Sequence, residues 1–394
     1  MSGDALALYV HWPFCVSKCP YCDFNSHVRE SIDQDAWREA LLKDLAFEAG
    51  LLPDRRLTSI FFGGGTPSLM APQTVEALIT AALTFWKPDD NGVEITLEAN
   101  PNSVEAARFE SLRSAGVNRL SLGLQRFDDK TLRFLGRAHS AREGFAALET
   151  AQKHFRRVSF DLIYALPEET ENDWSVTLAQ ALSLGTSHLS LYQLTIEPGT
   201  RFSTMVSKHQ FQPLDADSSA ALYELTDAMT ASAGRPAYEI SNYARPKAES
   251  RHNLAYWRYQ DYAGVGPGAH GRRQGSRTVR HRKPENFLSA VRRNGHGVSE
   301  EAALTRSEAA DEALVMGLRL TEGFDANLVA KRFGFDTILD WEKVERLVAS
   351  GHLTRNSSRI APTRAGRLLL DHVLAEISAV NPISLAEPQA SAAA

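Results

Sequence analysis

Apolar and polar positions alternate along the first half of the chain in two recurring patterns. Short runs rich in leucine, β-branched and aromatic residues predict strands at 6–12, 58–64, 93–99, 119–125, 158–166 and 188–194. Apolar residues at helical spacing predict helices between them, at 35–52, 73–86, 103–116, 140–155 and 171–185. This alternation indicates an α/β fold built on a parallel sheet with right-handed crossovers.

Six strand–helix units predict a partial (β/α)6 TIM-like barrel over residues 1–240, left partly open because a closed barrel of this type has eight units. A doubly wound open sheet is the competing architecture. Residues 215–234 are predicted as a helix and 237–244 as one more strand. Residues 241–304, dense in aromatics and glycines, are predicted as a connecting segment.

The C-terminal part has a different pattern. Helical segments, a two-stranded wing and a last helix over residues 305–380 predict a smaller winged-helix-like domain. The wing is basic because it carries Arg355, Arg359, Arg364 and Arg367. DNA binding is therefore one interpretation of this domain, and a docking or packing role is the favoured one. The Ala-, Pro- and Ser-rich residues 381–394 are predicted as a disordered tail.

Composition narrows the classes of function. The 394 residues carry a formal net charge of −5, which gives no reason to expect bulk nucleic-acid binding. No apolar run approaches the roughly 18–20 residues that span a bilayer, and the N-terminus does not read as a signal peptide. We expect a cytoplasmic protein, with peripheral membrane contact left open.

All three cysteines lie within eight residues, as Cys15, Cys19 and Cys22 of "CVSKCPYC". An odd count argues against a disulfide framework in a reducing compartment. A zinc site would need a fourth ligand such as His11 or His27. A [4Fe–4S] cluster also takes four ligands, so three thiolates would leave one iron open for a reaction.

Other polar or glycine-rich features fall where predicted strands end. "GGGTP" (63–67) ends the second strand and Glu98 the third, Gln125 ends the fourth with Arg137 soon after, and Asp161 lies in the fifth. Ligands bind at the carboxyl ends of the strands in a parallel barrel. These residues and the cysteine loop are therefore predicted to share one rim.

The motifs C-x3-C-x2-C and "GGGTP" resemble the radical S-adenosylmethionine (SAM) superfamily. The segments "YVHWPFCVSKCPYCDFN", "FFGGGTPS", "EANP", "RLSLGLQ" and "RVSFDLIYALP" resemble, more narrowly, its oxygen-independent coproporphyrinogen III oxidase-like branch. The likeness covers roughly residues 1–200.

This resemblance implies that the three cysteines hold three irons of a [4Fe–4S] cluster and that SAM occupies the fourth. An electron from the cluster would then cleave a sulfonium bond of SAM to give a 5′-deoxyadenosyl radical. It also implies a set of cofactor-binding residues: Tyr9, Tyr21, Gly63, Gly64, Gly65, Thr66, Glu98, Gln125, Arg137 and Asp161. Arg137 suits the SAM carboxylate and Asp161 the ribose hydroxyls.

Two departures point away from true oxidases. Phe24 stands where their motif has a further cysteine, and only fourteen residues precede Cys15. The chain instead resembles the HemW-type group, regarded as heme chaperones, whose H-N-x-x-Y-W motif matches "HNLAYW" (252–257). That likeness implies heme contact by His252. His270, in the glycine-rich "GVGPGAH" (264–270), is a weaker second candidate.

Three hypotheses follow. The leading one is a heme chaperone with a SAM-liganded [4Fe–4S] cluster, which delivers heme to hemoproteins such as respiratory enzymes and forms a homodimer by family analogy. The second is a radical SAM enzyme acting on a tetrapyrrole, although we expect no true coproporphyrinogen III dehydrogenase. The third is a redox-sensing DNA-binding regulator.

Overall fold

The computed structural model describes residues 4–379. Within that range, twelve strands form one main sheet. Eleven of them lie on one continuous path: β1 Ala5–Trp12, β2 Arg56–Gly64, β3 Glu94–Ala99, β4 Arg119–Gln125, β5 Arg157–Tyr164, β6 His188–Gln193, β7 Asn242–Ala244, β8 Asp261–Val265, β9 His270–Arg273, β10 Ser276–Arg280 and β11 Val298–Ala303. The short strand Lys87–Pro88 pairs with β2. A second sheet consists of β12 Phe324–Asp325, β13 Leu353–Asn356 and β14 Arg359–Pro362.

The α-helices in chain order are α1 Gln34–Leu51, α2 Pro72–Phe85, α3 Ser103–Ala106, α4 Phe109–Ser114, α5 Asp129–Phe134, α6 Ala141–His154, α7 Glu171–Ser183, α8 Arg201–Ser207, α9 Ala216–Ser232, α10 Arg251–Trp257, α11 Pro284–Asn294, α12 Arg306–Gly317, α13 Ala326–Phe333, α14 Trp341–Ala349, α15 Arg364–Leu368 and α16 Leu370–Ile377. Over residues 4–379, none of them is both long and apolar enough to cross a membrane.

The main sheet runs in the order β7-β6-β5-β4-β3-β2-β1-β8-β9-β10-β11. Strands β1 to β6 are parallel neighbours in chain order, each followed by helical crossovers, as the six-unit partial barrel predicts. Helices cover this sheet and bury a continuous apolar core. All six carboxyl ends therefore point to the same rim, and the predicted α/β fold class is confirmed.

Residues 241–304 differ from the prediction of a connecting segment. They contribute β8 to β11, and β8 pairs in parallel with β1 from Leu6 opposite Asp261 to Val10 opposite Val265. Strand β1 is thus an interior strand rather than the edge of an open barrel. Its backbone groups are paired on both sides, which removes the cost of an unpaired edge. The predicted strand at 237–244 is also shorter, since only Asn242–Ala244 pairs with β6 and does so in antiparallel fashion.

The single helix predicted at 103–116 is wrong, because the chain forms α3 and α4 there instead. The side chain of Glu105 is buried and bonds to Ser68 and to the backbone of Asn100. Arg108, at the break, donates to the carbonyls of Ser68 and Met70. These contacts with the segment after β2 outweigh the local preference for one continuous helix.

The winged-helix-like part has its own apolar core, formed mainly by α12 to α16 and the second sheet. Its basic residues are engaged within the molecule. Arg364 and Arg367 both bind the buried carboxylate Oδ2 of Asp227 on α9, at 2.6 and 3.1 Å. Arg355 pairs with Glu345, and Arg359 donates to backbone carbonyls. These contacts favour the docking interpretation; the predicted tail 381–394 lies outside the described residues.

Buried charges connect α1 to the β9–β10 hairpin. Arg280 and its partners Asp44 and Glu48 are fully buried, with Arg280 Nη2 2.5 Å from Glu48 Oε1. Arg273 binds the other oxygen of Glu48 at 2.9 Å. Asp44 also accepts hydrogen bonds from the backbone N–H groups of Gly266 and Gly297. Helix α1 therefore holds the glycine-rich loop between β8 and β9 in place.

We expect Asp44→Ala to reduce the free energy of unfolding by about 3–5 kcal/mol, because it leaves Arg280 buried without one of its carboxylates. The measurement is urea denaturation followed by tryptophan fluorescence. Glu39→Ala is the matched control, since Glu39 lies on the same helix in an exposed pair with Lys43, and its loss should leave the free energy of unfolding nearly unchanged. Equal losses in the two variants would contradict a structural role for the buried network.

Candidate functional site

The cysteine loop leaves the carboxyl end of β1 and is closed at its base by two short parallel strands. Phe14 lies opposite His27 and Cys15 opposite Val28 in this pairing. A turn inside the loop brings the backbone N–H of Cys22 to 3.1 Å from the carbonyl of Cys19. The loop is therefore anchored at both ends while its three thiols stay partly accessible.

The thiols face a cavity of about 190 Å³ at the carboxyl ends of β1 to β5. Most residues predicted for the cofactor site line it together: Cys15, Cys19, Tyr21, Cys22, Gly64, Gly65, Thr66, Glu98, Gln125, Arg137 and Asp161. Residues more than a hundred positions apart in the chain thus share one wall. We refer to this space as the cysteine cavity.

A chain of polar contacts crosses the cysteine cavity from one thiol to another. Arg137 Nη1 lies 3.4 Å from Cys19 Sγ, and its Nη2 donates to Asn100 Oδ1 at 2.6 Å. Asn100 Nδ2 donates to Thr66 Oγ1, which donates to Cys15 Sγ at 3.4 Å. Asn100 was not among the predicted site residues, although its place in "EANP" after β3 was a signal that could have identified it.

Two half-buried carboxyl groups, Glu98 and Asp161, lie in the wall, and neither forms an ion pair within residues 4–379. Burial, followed by the neighbouring Asp161, raises the pKa of Glu98 to about 8. Burial also raises the pKa of Asp161 to about 6, although a hydrogen bond from Ser190 and the charge of Arg119 act in the other direction. Glu98 therefore holds a proton at neutral pH in the ligand-free protein. A cationic or hydroxyl-bearing ligand would lower the cost of ionising it.

The glycines of "GGGTP" are required by close packing against β1. Gly64 has φ +109°, and a Cβ there would lie 2.5 Å from the ring of His11. A Cβ on Gly65 would lie 2.7 Å from the carbonyl oxygen of Phe14 and 2.9 Å from that of Trp12. The Gly64 contact would displace the ring of His11, and the Gly65 contacts would force the start of the cysteine loop away from β2. The glycines thus allow the loop to sit close to the sheet.

A second cavity, of about 440 Å³, adjoins the first on the β8 side of β1. Gly64, Glu98 and Phe24 line both spaces. We refer to the second space as the tyrosine cavity because Tyr9, Tyr256 and Tyr262 line it, with His11, Asp23, Asn25, Gly268, His270 and Arg282. Tyr9, predicted at the SAM site, therefore lines the tyrosine cavity instead of the cysteine cavity, and its hydroxyl bonds to His11 Nδ1 at 2.9 Å.

Two other predicted residues line neither of these cavities. Gly63 is packed against Phe61 and Tyr9, which a Cβ would approach to 2.9 and 3.0 Å. His252, predicted to contact heme, is only 1% exposed. Its Nδ1 lies 3.0 Å from Ser59 Oγ and its Nε2 lies 2.8 Å from the hydroxyl of Tyr256. Both ring nitrogens thus form hydrogen bonds inside the core, so His252 is a structural core histidine and does not face either cavity.

The residues around the cysteine cavity fit a cluster with an added ligand. Gln125 Oε1 and Arg137 Nε are buried there and have no hydrogen-bond partner within residues 4–379. In the same range, no three His, Cys, Asp or Glu side chains converge closely enough to hold one metal ion. Thiolates that each bind a different iron need not converge in that way. The free amide oxygen and guanidinium nitrogen suit the polar groups of SAM.

Comparisons with known proteins agree with this geometry. The profile of the Radical SAM superfamily matches residues 9–181, and that of the HemN C-terminal domain matches residues 304–369. The mitochondrial radical S-adenosyl methionine domain-containing protein 1 of Bos taurus is 39% identical, over 93% of this chain and 82% of the relative. The heme chaperone HemW of Escherichia coli is 35% identical, over 94% of this chain and 97% of the relative.

A solved structure supports the fold independently. Coproporphyrinogen III oxidase (HemN) from Escherichia coli superposes with a TM-score of 0.77, covering 94% of this chain and 89% of that one. Its sequence identity is 22%, so the likeness concerns the fold alone. The shared architecture therefore includes both the sheet and the C-terminal part.

Glu98→Gln should make the stability of the iron-free protein less dependent on pH. Folding raises the pKa of this carboxyl, so the protonated group favours the folded state at any pH below the pKa of the unfolded chain. This contribution to stability is lost as the pH rises through the pKa of the folded protein, about 8. The wild-type free energy of unfolding should therefore fall between about pH 5 and pH 8.5. At pH 8.5 the variant should be more stable by roughly 2 kcal/mol or more, at 1.36 kcal/mol per pKa unit.

Urea denaturation at a series of pH values measures this effect. Glu143→Gln is the control, because the Ser140 cap lowers the pKa of that exposed carboxyl and its loss should cost stability at high pH. A Glu98→Gln curve as steep as that of the wild type would show that Glu98 ionises normally.

Proposed function

Because the chain belongs to the HemW-type branch of the radical SAM superfamily, we propose that it is a heme chaperone that also binds a [4Fe–4S] cluster and SAM. The observation that carries the proposal is that all the cysteines of the chain line one cavity together with unpaired polar atoms of Gln125 and Arg137. The adjoining tyrosine cavity supplies an aromatic space for a flat macrocycle.

Cys15, Cys19 and Cys22 would hold the cluster, and the remaining iron would take SAM. When bound, these groups supply one-electron chemistry that amino-acid side chains cannot provide. The guanidinium of Arg137, already fixed by Asn100 and the carbonyl of Gly123, would bind the carboxylate of SAM. Its contact with Cys19 would also stabilise thiolate charge.

Glu98 and Asp161 would receive the electropositive or hydroxyl-bearing parts of the ligand. A positive charge near Glu98 would release the proton that burial retains there. Asp161 is held in position by a hydrogen bond from Ser121 at 3.3 Å and so offers acceptor oxygens in a defined place. Tyr21 packs against Phe202 and lies beside Arg137 at the same cavity.

Two observations favour a chaperone over the other hypotheses. Phe24 occupies the position of the further cysteine that the oxidases carry, and its ring is 61% exposed where it lines both cavities. Arg364 and Arg367, which a DNA-binding wing would present, are instead bound to Asp227. Recipient hemoproteins, a homodimer, peripheral membrane contact and a cytoplasmic location stay predictions.

We expect Cys19→Ala to abolish cluster assembly, because two thiolates retain a cubane poorly. After anaerobic reconstitution with iron and sulfide, the iron content should fall from about four per chain to below about one, with loss of the visible absorption. Ser17→Ala in the same loop is the matched control and should retain the cluster. Zinc in the wild type, or full iron in the variant, would contradict the assignment.

Heme titration and an oxidase assay distinguish chaperone from enzyme. The wild type should bind ferric heme with about one heme per chain, followed by absorption spectroscopy. The reduced, reconstituted protein with SAM should leave coproporphyrinogen III unchanged, since Phe24 replaces the oxidase cysteine. Formation of protoporphyrinogen IX under anaerobic conditions would favour the tetrapyrrole enzyme instead.

A further inference from the structure

The tyrosine cavity contains two histidines, and they differ in what their ring nitrogens do. His11 is buried, with Nδ1 bonded to Tyr9 and Nε2 to the carbonyl of Asn25, both at 2.9 Å. His270 lines the same cavity and is exposed to it. Neither ring nitrogen of His270 has a hydrogen-bond partner within the described part of the chain. His270 is therefore free to bind a ligand, while His11 is not.

The backbone of His270 is held firmly although its side chain is free. It is the first residue of β9, opposite Val279, and its carbonyl oxygen would lie 1.9 Å from a Cβ on Gly264. The preceding loop is tied to α1 through the bond from Gly266 N–H to Asp44. Asn25 of the cysteine loop donates to the carbonyl of Pro267 at 2.9 Å. Such anchoring is what a defined metal ligand requires.

The electrostatics of His270 favour the neutral imidazole. Partial desolvation of the ring lowers its pKa, and the positive charge of Arg282 lowers it further, while Glu300 acts in the opposite direction. A neutral ring keeps a nitrogen lone pair, which is the form that binds heme iron. No proton would have to be displaced at neutral pH.

The walls of the tyrosine cavity suit an iron porphyrin. Its volume of about 440 Å³ falls within the roughly 300–1,000 Å³ of small-molecule sites. Tyr256 and Tyr262 pack edge to face, with centroids 4.5 Å apart, and offer rigid aromatic surface. Arg282 provides a cation for a propionate, with Asp23 as the opposing charge in the lining.

We propose that His270, in the tyrosine cavity, is the protein ligand to heme iron, and that His252 acts only as a positioning residue. The inference rests on the proposed heme-chaperone function and assigns its binding site. His252 Nε2 bonds to the hydroxyl of Tyr256, so it holds one wall of the cavity in place. His252 would therefore influence heme binding through Tyr256, without touching the iron.

The test is titration of ferric heme into the full-length protein and three variants, followed by absorption and electron paramagnetic resonance spectra. His270→Ala should lose the imidazole signature, and its affinity should fall by more than the ~10-fold that loss of an outer partner of a metal ligand costs. Added imidazole should restore the signature. His252→Gln, which can still hydrogen-bond in the core, should weaken heme binding but keep the wild-type signature. The exposed control His209→Ala should keep both the affinity and the signature of the wild type.

The outcomes separate this inference from the function on which it rests. If the wild type binds heme but His270→Ala keeps its spectrum, or if His252→Gln alone loses the imidazole signature, the assignment to His270 is wrong and the chaperone proposal stands. If the wild type binds no heme, the proposed function fails and the inference fails with it.

Discussion

The position of β1 inside the sheet is the constraint on which the rest of the molecule depends. It has parallel partners on both sides, β2 and β8, so the chain leaving its carboxyl end enters the centre of the rim. The cysteine loop starts at that point, and its residues line both cavities. A strand at the edge of an open barrel would have placed the same loop beside solvent, with β8 and His270 elsewhere.

Buried charge is used in two different ways around this loop. Asp44 and Glu48 face Arg273 and Arg280, and their ion pairs hold the β9–β10 hairpin to α1. Glu98, by contrast, forms no ion pair within residues 4–379, and burial followed by the neighbouring Asp161 raises its pKa. Paired charges stabilise a geometry, whereas an unpaired carboxyl in a cavity costs stability until a ligand compensates it. The second kind marks the site where a ligand is expected.

The "HNLAYW" segment can shape a ligand site although its histidine does not face the cavity. His252 lies in the core on α10, with Phe61 stacked 4.9 Å from its ring and both nitrogens bonded. Tyr256, one turn later on the same helix, lines the tyrosine cavity. The motif thus organises a wall of the cavity, and its histidine supports the tyrosine that faces the space.

Much of this protein could be derived from the order of its residues. Strand and helix periodicity determined the six βα units, and parallel strands place their carboxyl ends together, so the clustering of Cys15, Glu98 and Arg137 followed from their positions after strands. The cysteine spacing and glycine motif determined the family. Local patterns of this kind are readable because each depends on a few neighbouring side chains.

Only the tertiary structure decided what depends on distant partners. Strand β8 is short and contains Gly264, so its own sequence predicts a strand only weakly. It forms because it pairs with the backbone of β1. Asn100 joined the site because Arg137 and Thr66 lie on either side of it, and Tyr9 lines the adjoining tyrosine cavity instead of the cysteine cavity. His252 is buried and His270 accessible because of how α10 and the β9–β10 hairpin pack, a property of residues far apart in the chain that local periodicity does not contain.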